Sequence, residues 1–379
     1  CGNSCTSGNA CISGTCSPSL LAPFAGNFDG TGNTDGTGVE ARFSNVKGIA
    51  TDSAGNIYVA DINNQTIRKI TPNGLVSTFA GRAGIIGSND GNGASARFYY
   101  PSGVATDTLD NVYVADTYNN TIRKITPLGW VSTLAGTAGV YGNVDGVGGV
   151  ASFFNPQGIT TDIVGNVYVS DINNTIRKIT PAGLVSTLAG AASVRGNTDG
   201  VGSAASFYDP IGLTTDSSGN VYVADSGNRI IRKITPTGVV STFAGNAFAS
   251  FIYPEGVASD VQGNIYVADT GNSTIRKISS TGVVSTFAGA AGVTGVVDGN
   301  GAMARFQYPS GITTDNAGNI YVTDSHTTIR KITPAGFVTT LAGTATVVGG
   351  ADGIGLASSF KNPNGVTADG AGNVFVADR

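Results

Sequence analysis

One line of about 34 residues, written over and over, constrains this chain more than any other feature. In its fullest form it reads "GIATDSAGNIYVADINNQTIRKITPNGLVSTFAG", residues 48 to 81. Aligned on the glycine that opens each unit, the copies start at Gly48, Gly103, Gly158, Gly212, Gly256, Gly311 and Gly365. The steps between them are 55, 55, 54, 44, 55 and 54 residues. Each unit holds four short runs rich in Ile, Val, Thr, Tyr and Phe, which is strand composition. Between the runs lie Asp-Ser-Ala-Gly-Asn, Asp-Ile-Asn-Asn and Thr-Pro-Asn-Gly, which are turn signals. Short turns between strands make antiparallel hairpins, so each unit is a four-stranded meander.

Such a meander cannot stand alone. "IYVA" is apolar at consecutive positions, so both faces of the sheet need cover. Units stacked radially about an axis give every face a neighbour, the arrangement of a β-propeller. "LLAPFAG" at 20–26 resembles "LVSTFAG" at 75–81, a fourth strand, yet it precedes the first complete unit. The pattern predicts an all-β, seven-bladed propeller of four-stranded antiparallel blades, closed by the N-terminal strand, which removes sheet edges. The last blade is incomplete: strands one and two come from 365–378 and strand four from 20–26. Its third strand is expected either from further chain or from another molecule, as in strand-addition complexes.

The repeated motif, G-[IVL]-[AT]-[TS]-D-x-x-G-N-[IV]-Y-V-[ATS]-D followed by I-R-K-I, resembles the NHL-repeat family of β-propellers across residues 20 to 379. The resemblance implies architectural roles for Asp52, Asn56, Asp61, Arg68 and Lys69. The residues themselves agree for Asp61 and Arg68, which flank the second hairpin turn and can pair within a blade. It implies little about function, because a propeller is a platform.

All four cysteines, Cys1, Cys5, Cys11 and Cys16, fall in "CGNSCTSGNACISGTCS". So polar a stretch cannot bury a core, so residues 1–17 are expected to be a disulfide-stapled segment ahead of a propeller at 18–379. The segment is similar to small four-Cys modules of secreted proteins. Zinc is the competing reading, but the spacing is not that of a C-x2-C knuckle and no histidine is near. Four cysteines allow three pairings, and the sequence does not choose among them. The absence of an initiator Met predicts a processed or truncated piece of a longer protein.

The 44-residue step is a bare unit; the others carry an insertion between strand four and the next strand one. Asp-Gly recurs there at Asp35, Asp90, Asp145, Asp199, Asp298 and Asp352, each followed by a phenylalanine: Phe43, Phe98, Phe153, Phe207, Phe306 and Phe360. One carboxylate per loop is too few for a strong calcium site. The loop is read instead as an Asp-Gly turn capping a short helical turn, with the phenylalanine plugged into the seam between blades.

Strand alternation puts the loops joining strand four to strand one on the same face as those joining strand two to strand three. "NQT", "NNT", "NNT" and "NST" in the latter match the N-glycosylation sequon, so Asn64, Asn119, Asn173 and Asn272 are candidate sugar-bearing residues. The asparagine also suits a hairpin turn and the threonine a strand, which explains the pattern without sugars.

Residues for chemistry are sparse. His326 is the single histidine, and Glu40 and Glu255 are the two glutamates. Glu255, in "YPEG", can line a central channel, but the sequence offers it no partner. No Ser/His/Asp set, metal-binding cluster or phosphate loop is present. The chain is therefore read as not an enzyme, with no cofactor and no metal. Net charge −4 with no Lys/Arg block argues against nucleic acid as a partner, and no run of 18 apolar residues exists to span a membrane. The expectation is an extracellular or cell-surface structural or interaction module. It belongs to a larger glycoprotein assembly or filament, and its partners are other protein subunits, including copies of itself, and N-linked glycans. An adhesin that binds a ligand or glycan through the loop-rich face is the alternative, and a propeller-type hydrolase or lyase a third reading.

Overall fold

A computed structural model describes residues 9–12, 15–18, 20–21, 25, 31–38, 40–245, 251–324, 327–343, 348–349, 353–354 and 357–378. The chain is all-β, and its sheets stand as radial blades. In blade one the order from the axis outward is Val46–Thr51, Ile57–Asp61, Thr66–Ile70 and Leu75–Gly81, all antiparallel. Five further blades repeat this order, with first strands at Pro101–Thr106, Pro156–Thr161, Pro210–Thr215, Pro254–Ser259 and Ile312–Thr314.

Two features differ from the sequence expectation. Six blades are complete among the described residues, not seven, and five of the six have five strands rather than four. The fifth strand is short and comes from the insertion. In blade one Gly36–Thr37 pairs with Leu75 and Val76 on the outer edge. The insertion thus runs from the preceding blade to the rim of its own blade before returning to the axis. Blade five, which lacks the insertion, keeps four strands.

Between blades six and one lie parts of a further unit. The hairpin Pro363–Ala368 and Val374–Asp378 places its first strand against Ile312–Thr314 on one side and Val46–Thr51 on the other. Leu20–Leu21 pairs with Gly353–Ile354 in the register that Leu75–Val76 uses with Gly36–Thr37. Ala25, Phe375 and Ala377 all pack against the blade-one cluster of Ile57, Val59 and Val76. Both ends of the described chain therefore meet the same flank of blade one.

The glycine that opens each unit is explained by the axis. First strands lie side by side there, and a Cβ on Gly48 would overlap the Ser102 carbonyl; Gly103 meets Gln157 in the same way, and Gly365 meets Lys47. Hydroxyls stitch the far ends of these strands. Thr106 Oγ1 donates to the Thr51 carbonyl at 2.7 Å, Thr161 to Thr106, Thr215 to Thr161, Ser259 to Thr215, Thr314 to Ser259, and Thr51 to Ala368. Ala368 has no hydroxyl to continue the circuit.

The hydrophobic core is a set of seams. Ile67 and Ala80 of blade one cluster with Val112 and Val114 of blade two around Phe98, which is wholly buried. Phe153, Phe207 and Phe306 plug the next seams as the sequence predicts. Burying one such ring contributes about 2–3 kcal/mol. Among the described residues no helix is long and apolar enough to cross a membrane.

Candidate functional site: an aromatic rim on the loop-rich face

The aspartate that ends each second strand organises the loop-rich face. Asp116 is wholly buried. Its Oδ1 accepts the Tyr99 N–H at 2.7 Å, and its Oδ2 accepts from Asn119 Nδ2 at 2.8 Å and Arg123 at 2.9 Å. Burial pushes its pKa up to about 6, against the pull of Arg123, Asn119 and the Tyr99 N–H. All its partners are donors, so at neutral pH the carboxylate is the form this pocket suits.

Arg123 reaches the other way as well. Its second nitrogen bonds Asp90 of the insertion at 2.7 Å, and its guanidinium lies 5.1 Å from the Phe98 ring centre. The same double clamp joins Arg68 to Asp61 and Asp35, Arg232 to Asp225 and Asp199, and Arg330 to Asp324 and Asp298. The insertion aspartate does not cap a helical turn, contrary to the sequence expectation. A helical turn does follow it, as at Gly93–Ser95, but no side chain caps that turn, and the carboxylate serves the arginine instead. With that carboxylate engaged by Arg123 and by Thr133 Oγ1, the arginine clamp accounts for the repeated Asp without a metal.

Three of the four sequon asparagines belong to the same frame, whereas the Asn173 Oδ1 accepts from Thr175 Oγ1 at 2.6 Å. Asn119 is 7% exposed, and its Nδ2 donates to both Asp116 and the Gly87 carbonyl. Asn64 Nδ2 likewise bonds Asp61 and Gly32, and Asn272 Nδ2 bonds Asp269. Asn173 is buried. Asn228 is decisive: it stands in "NRI", no sequon, yet makes the same two bonds, to Asp225 and Gly196. The asparagine recurs for its hydrogen bonds to the clamp, whether or not a sequon follows. Of the cysteines, Cys11 stands opposite Cys16 in the hairpin Asn9–Ile12/Thr15–Pro18, while Cys1 and Cys5, like His326 and Asp352, lie outside the described residues.

What the frame holds out is variable. The residue whose N–H meets the aspartate at the end of the second strand, with its successor, reads Ser44-Asn45, Tyr99-Tyr100, Phe154-Asn155, Tyr208-Asp209, Ile252-Tyr253, Gln307-Tyr308 and Lys361-Asn362 around the ring. The second residue of six of these pairs is left-handed, with φ from 49° to 62°. Asn and Asp tolerate that region, whereas an aromatic side chain there costs about 1 kcal/mol or more. Tyr100, Tyr253 and Tyr308 accept the cost, and Tyr253 is 58% exposed. Strain at an exposed aromatic is a functional signal. The turn of the preceding blade fixes this second residue: Tyr100 N–H bonds Gln65, Asn155 N–H bonds Asn120, and Asp209 N–H bonds Asn174.

At the axis a β-bulge interrupts the first strand, as at Pro101/Val104, a device that re-aims side chains at a rim. Glu255, which the sequence left without a partner, feels the charge of Lys47 from across the ring. Burial raises its pKa, and Lys47 opposes the rise. Among the described residues no three His, Cys, Asp or Glu side chains converge.

The NHL repeat family model matches residues 98–125, 207–229, 251–278 and 306–327. Teneurin-4 of Mus musculus is 29% identical over 249 residues, covering 55% of this chain and 9% of its own length. NHL repeat-containing protein 2 of Bos taurus is 33% identical over 165 residues, covering 39% of this chain and 23% of its own length. The chain thus spans a small part of the curated relatives it matches. Among solved structures, a catalytically inactive virginiamycin B lyase from Staphylococcus aureus with quinupristin superposes with a TM-score of 0.63 at 16% identity, covering 88% of this chain and 91% of that one. An auxiliary nutrient binding protein from Bacteroides ovatus gives 0.54 at 15%, covering 88% and 94%. At these identities the likeness speaks to fold alone.

Proposed function

We propose that this chain, which belongs to the NHL-repeat β-propellers, is an extracellular interaction module that meets its partner with its loop-rich face. One observation carries the reading: a repeated buried frame of Asp, Arg and Asn holds out a ring of residues that differs in every blade and is rich in exposed tyrosine. A purely structural bead has no use for strained aromatics at its surface. The four-cysteine segment and the likeness to teneurins support placement outside the cell or on its surface, within a larger assembly. The hairpin at Pro363–Asp378 and the strand at Leu20–Leu21 are read as parts of a seventh blade, closed from both ends of the chain. Among the described residues no three His, Cys, Asp or Glu side chains converge, which supports a binding role over an enzymatic one.

The test is to express the chain with Tyr99, Tyr118 and Tyr208 changed to Ser and compare its native assembly with that of the parent by sedimentation and electron microscopy. A second variant carries Leu109→Ser and Ile163→Ser, both exposed positions in the opposite-face turns. Loss of assembly in the first variant alone is the expected result. Loss in the second alone overturns the assignment of the face.

A further inference from the structure

Three consecutive blades carry the densest part of the rim. Tyr118 lies 4.5 Å from Tyr100, nearly parallel at 15°, and 5.2 Å from Tyr99, edge-on at 83°. In blade three Tyr141, 73% exposed, tilts against Phe154 at 5.7 Å. In blade four the Arg195 guanidinium lies 4.9 Å from the Tyr208 ring centre. Tyr208 itself rests on the Gly227 backbone, where a Cβ would collide with the ring. The hydrogen bonds Asn155 N–H to Asn120 and Asp209 N–H to Asn174 cross the two seams, so the three rims form one continuous surface.

Its chemistry is specific. Of the fourteen rim positions around the whole ring only Ile252 is aliphatic; the rest are aromatic, amide, hydroxyl or charged. Within the patch, among the described residues, the hydroxyls of Tyr99, Tyr118, Tyr141 and Tyr208 have no hydrogen-bond partner in the protein. The side chains of Asn155 and Asp209 are likewise unspent, since the bonds across the seams engage only their backbone N–H groups. The surface therefore presents flat π faces bordered by free donors and acceptors. A pyranose ring has the complementary form, with an apolar C–H face and a hydroxyl edge. An aliphatic protein core would leave those polar groups unpaired, which is costly.

We propose that the patch formed by Tyr99, Tyr118, Tyr141, Phe154 and Tyr208 is an oligosaccharide-binding site that accommodates two or more sugar rings across blades two to four. This rests on the loop-rich face being the interaction face and names the chemistry of what it meets. The aromatic rings stack on sugar faces, while Asn155, Asp209 and Arg195 bond ring hydroxyls.

The experiment is to apply the chain to a printed array of neutral and acidic oligosaccharides, then to titrate the strongest binder calorimetrically. Retention of a saccharide class is expected, with Tyr118→Ala and Tyr141→Ala each weakening it about tenfold or more. Both residues are exposed, so an unchanged melting temperature shows that the variants fold. Leu109→Ser on the opposite face is expected to bind as the parent does. A blank array overturns the proposal, and so does saccharide binding untouched by either tyrosine substitution. A blank array together with assembly that depends on Tyr99, Tyr118 and Tyr208 overturns the sugar while leaving the interaction face standing. Assembly that depends only on Leu109 and Ile163 removes both.

Discussion

The clamp in blade two gives the sharpest test of how this fold is held. Consider Asp116→Ala. The carboxylate removed is wholly buried and holds Arg123, Asn119 and the Tyr99 N–H. Breaking a buried ion pair from one side costs about 3–5 kcal/mol, because the remaining charge stays buried. The orphaned N–H groups add about 1–3 kcal/mol each before relaxation. With partial relaxation the expected loss is about 5 kcal/mol. Asp90→Ala removes the other carboxylate on the same arginine, but that side chain is 46% exposed. Exposed pairs contribute about 0.2–1 kcal/mol, so its loss should cost about 1 kcal/mol. The double variant Asp116→Ala/Arg123→Met removes the stranded charge and should recover about 1–3 kcal/mol relative to Asp116→Ala alone. Urea unfolding followed by the fluorescence of Trp130, the one tryptophan and a resident of blade two, reads all three variants. Equal losses for Asp90→Ala and Asp116→Ala would refute the assignment of the buried carboxylate as the anchor.

Other expectations follow from the same structure. Ala368→Thr supplies the missing hydroxyl opposite the Thr314 carbonyl and should raise stability by about 0.5–1 kcal/mol, read as an upward shift in Tm; a drop would show that the first strands are not in register there. Gly103→Ala drives a Cβ into the Gln157 carbonyl and should cost roughly 2 kcal/mol or more, whereas Gly84→Ala, in open space at φ +72°, should cost about 1 kcal/mol, both read by urea unfolding. In blade three Arg177 stands 3.6 Å from Asp171, and burial pushes that carboxyl up to about 7, against the Phe154 N–H and Arg177. Its folded pKa lies above the unfolded value, so the folded state binds the extra proton; the stability this gives is complete below the unfolded pKa and is lost as pH rises through about 7. Thermal melts between about pH 4 and 7 should show that decline in the parent and a flatter profile in Asp171→Asn. Peptide mass spectrometry of the native protein should find Asn119 and Asn173 unmodified, since both side chains are buried.

The propeller was legible because its instructions are local and repeated: strand composition, turn residues and an unpaired fourth strand at Leu20. The Asp61–Arg68 pair was legible for the same reason, since a single hairpin turn separates the two. The rest depends on routes through space. Asp90 and Arg123 are 33 residues apart, and nothing in periodicity says that the insertion travels along the outer edge to pair with its own blade. One signal was available: blade five lacks the insertion, its Asp-Gly and the fifth strand together. The sequon pattern was ambiguous because an asparagine chosen for Nδ2 bonds and a threonine chosen for a strand also spell an acceptor site. The rim was missed: its variation among copies was a signal in the sequence, but only the buried frame reveals that the varied residues share one platform.

That platform is gripped by main-chain atoms. The aspartates take the amide hydrogen of residues 44, 99, 154, 208, 252, 307 and 361, never their side chains. Every amino acid but proline can offer that hydrogen. Recognition in such a protein can drift through almost the whole alphabet at seven places without touching what keeps the ring upright, so novelty here comes easily and a graft of foreign specificity needs no redesign beneath it.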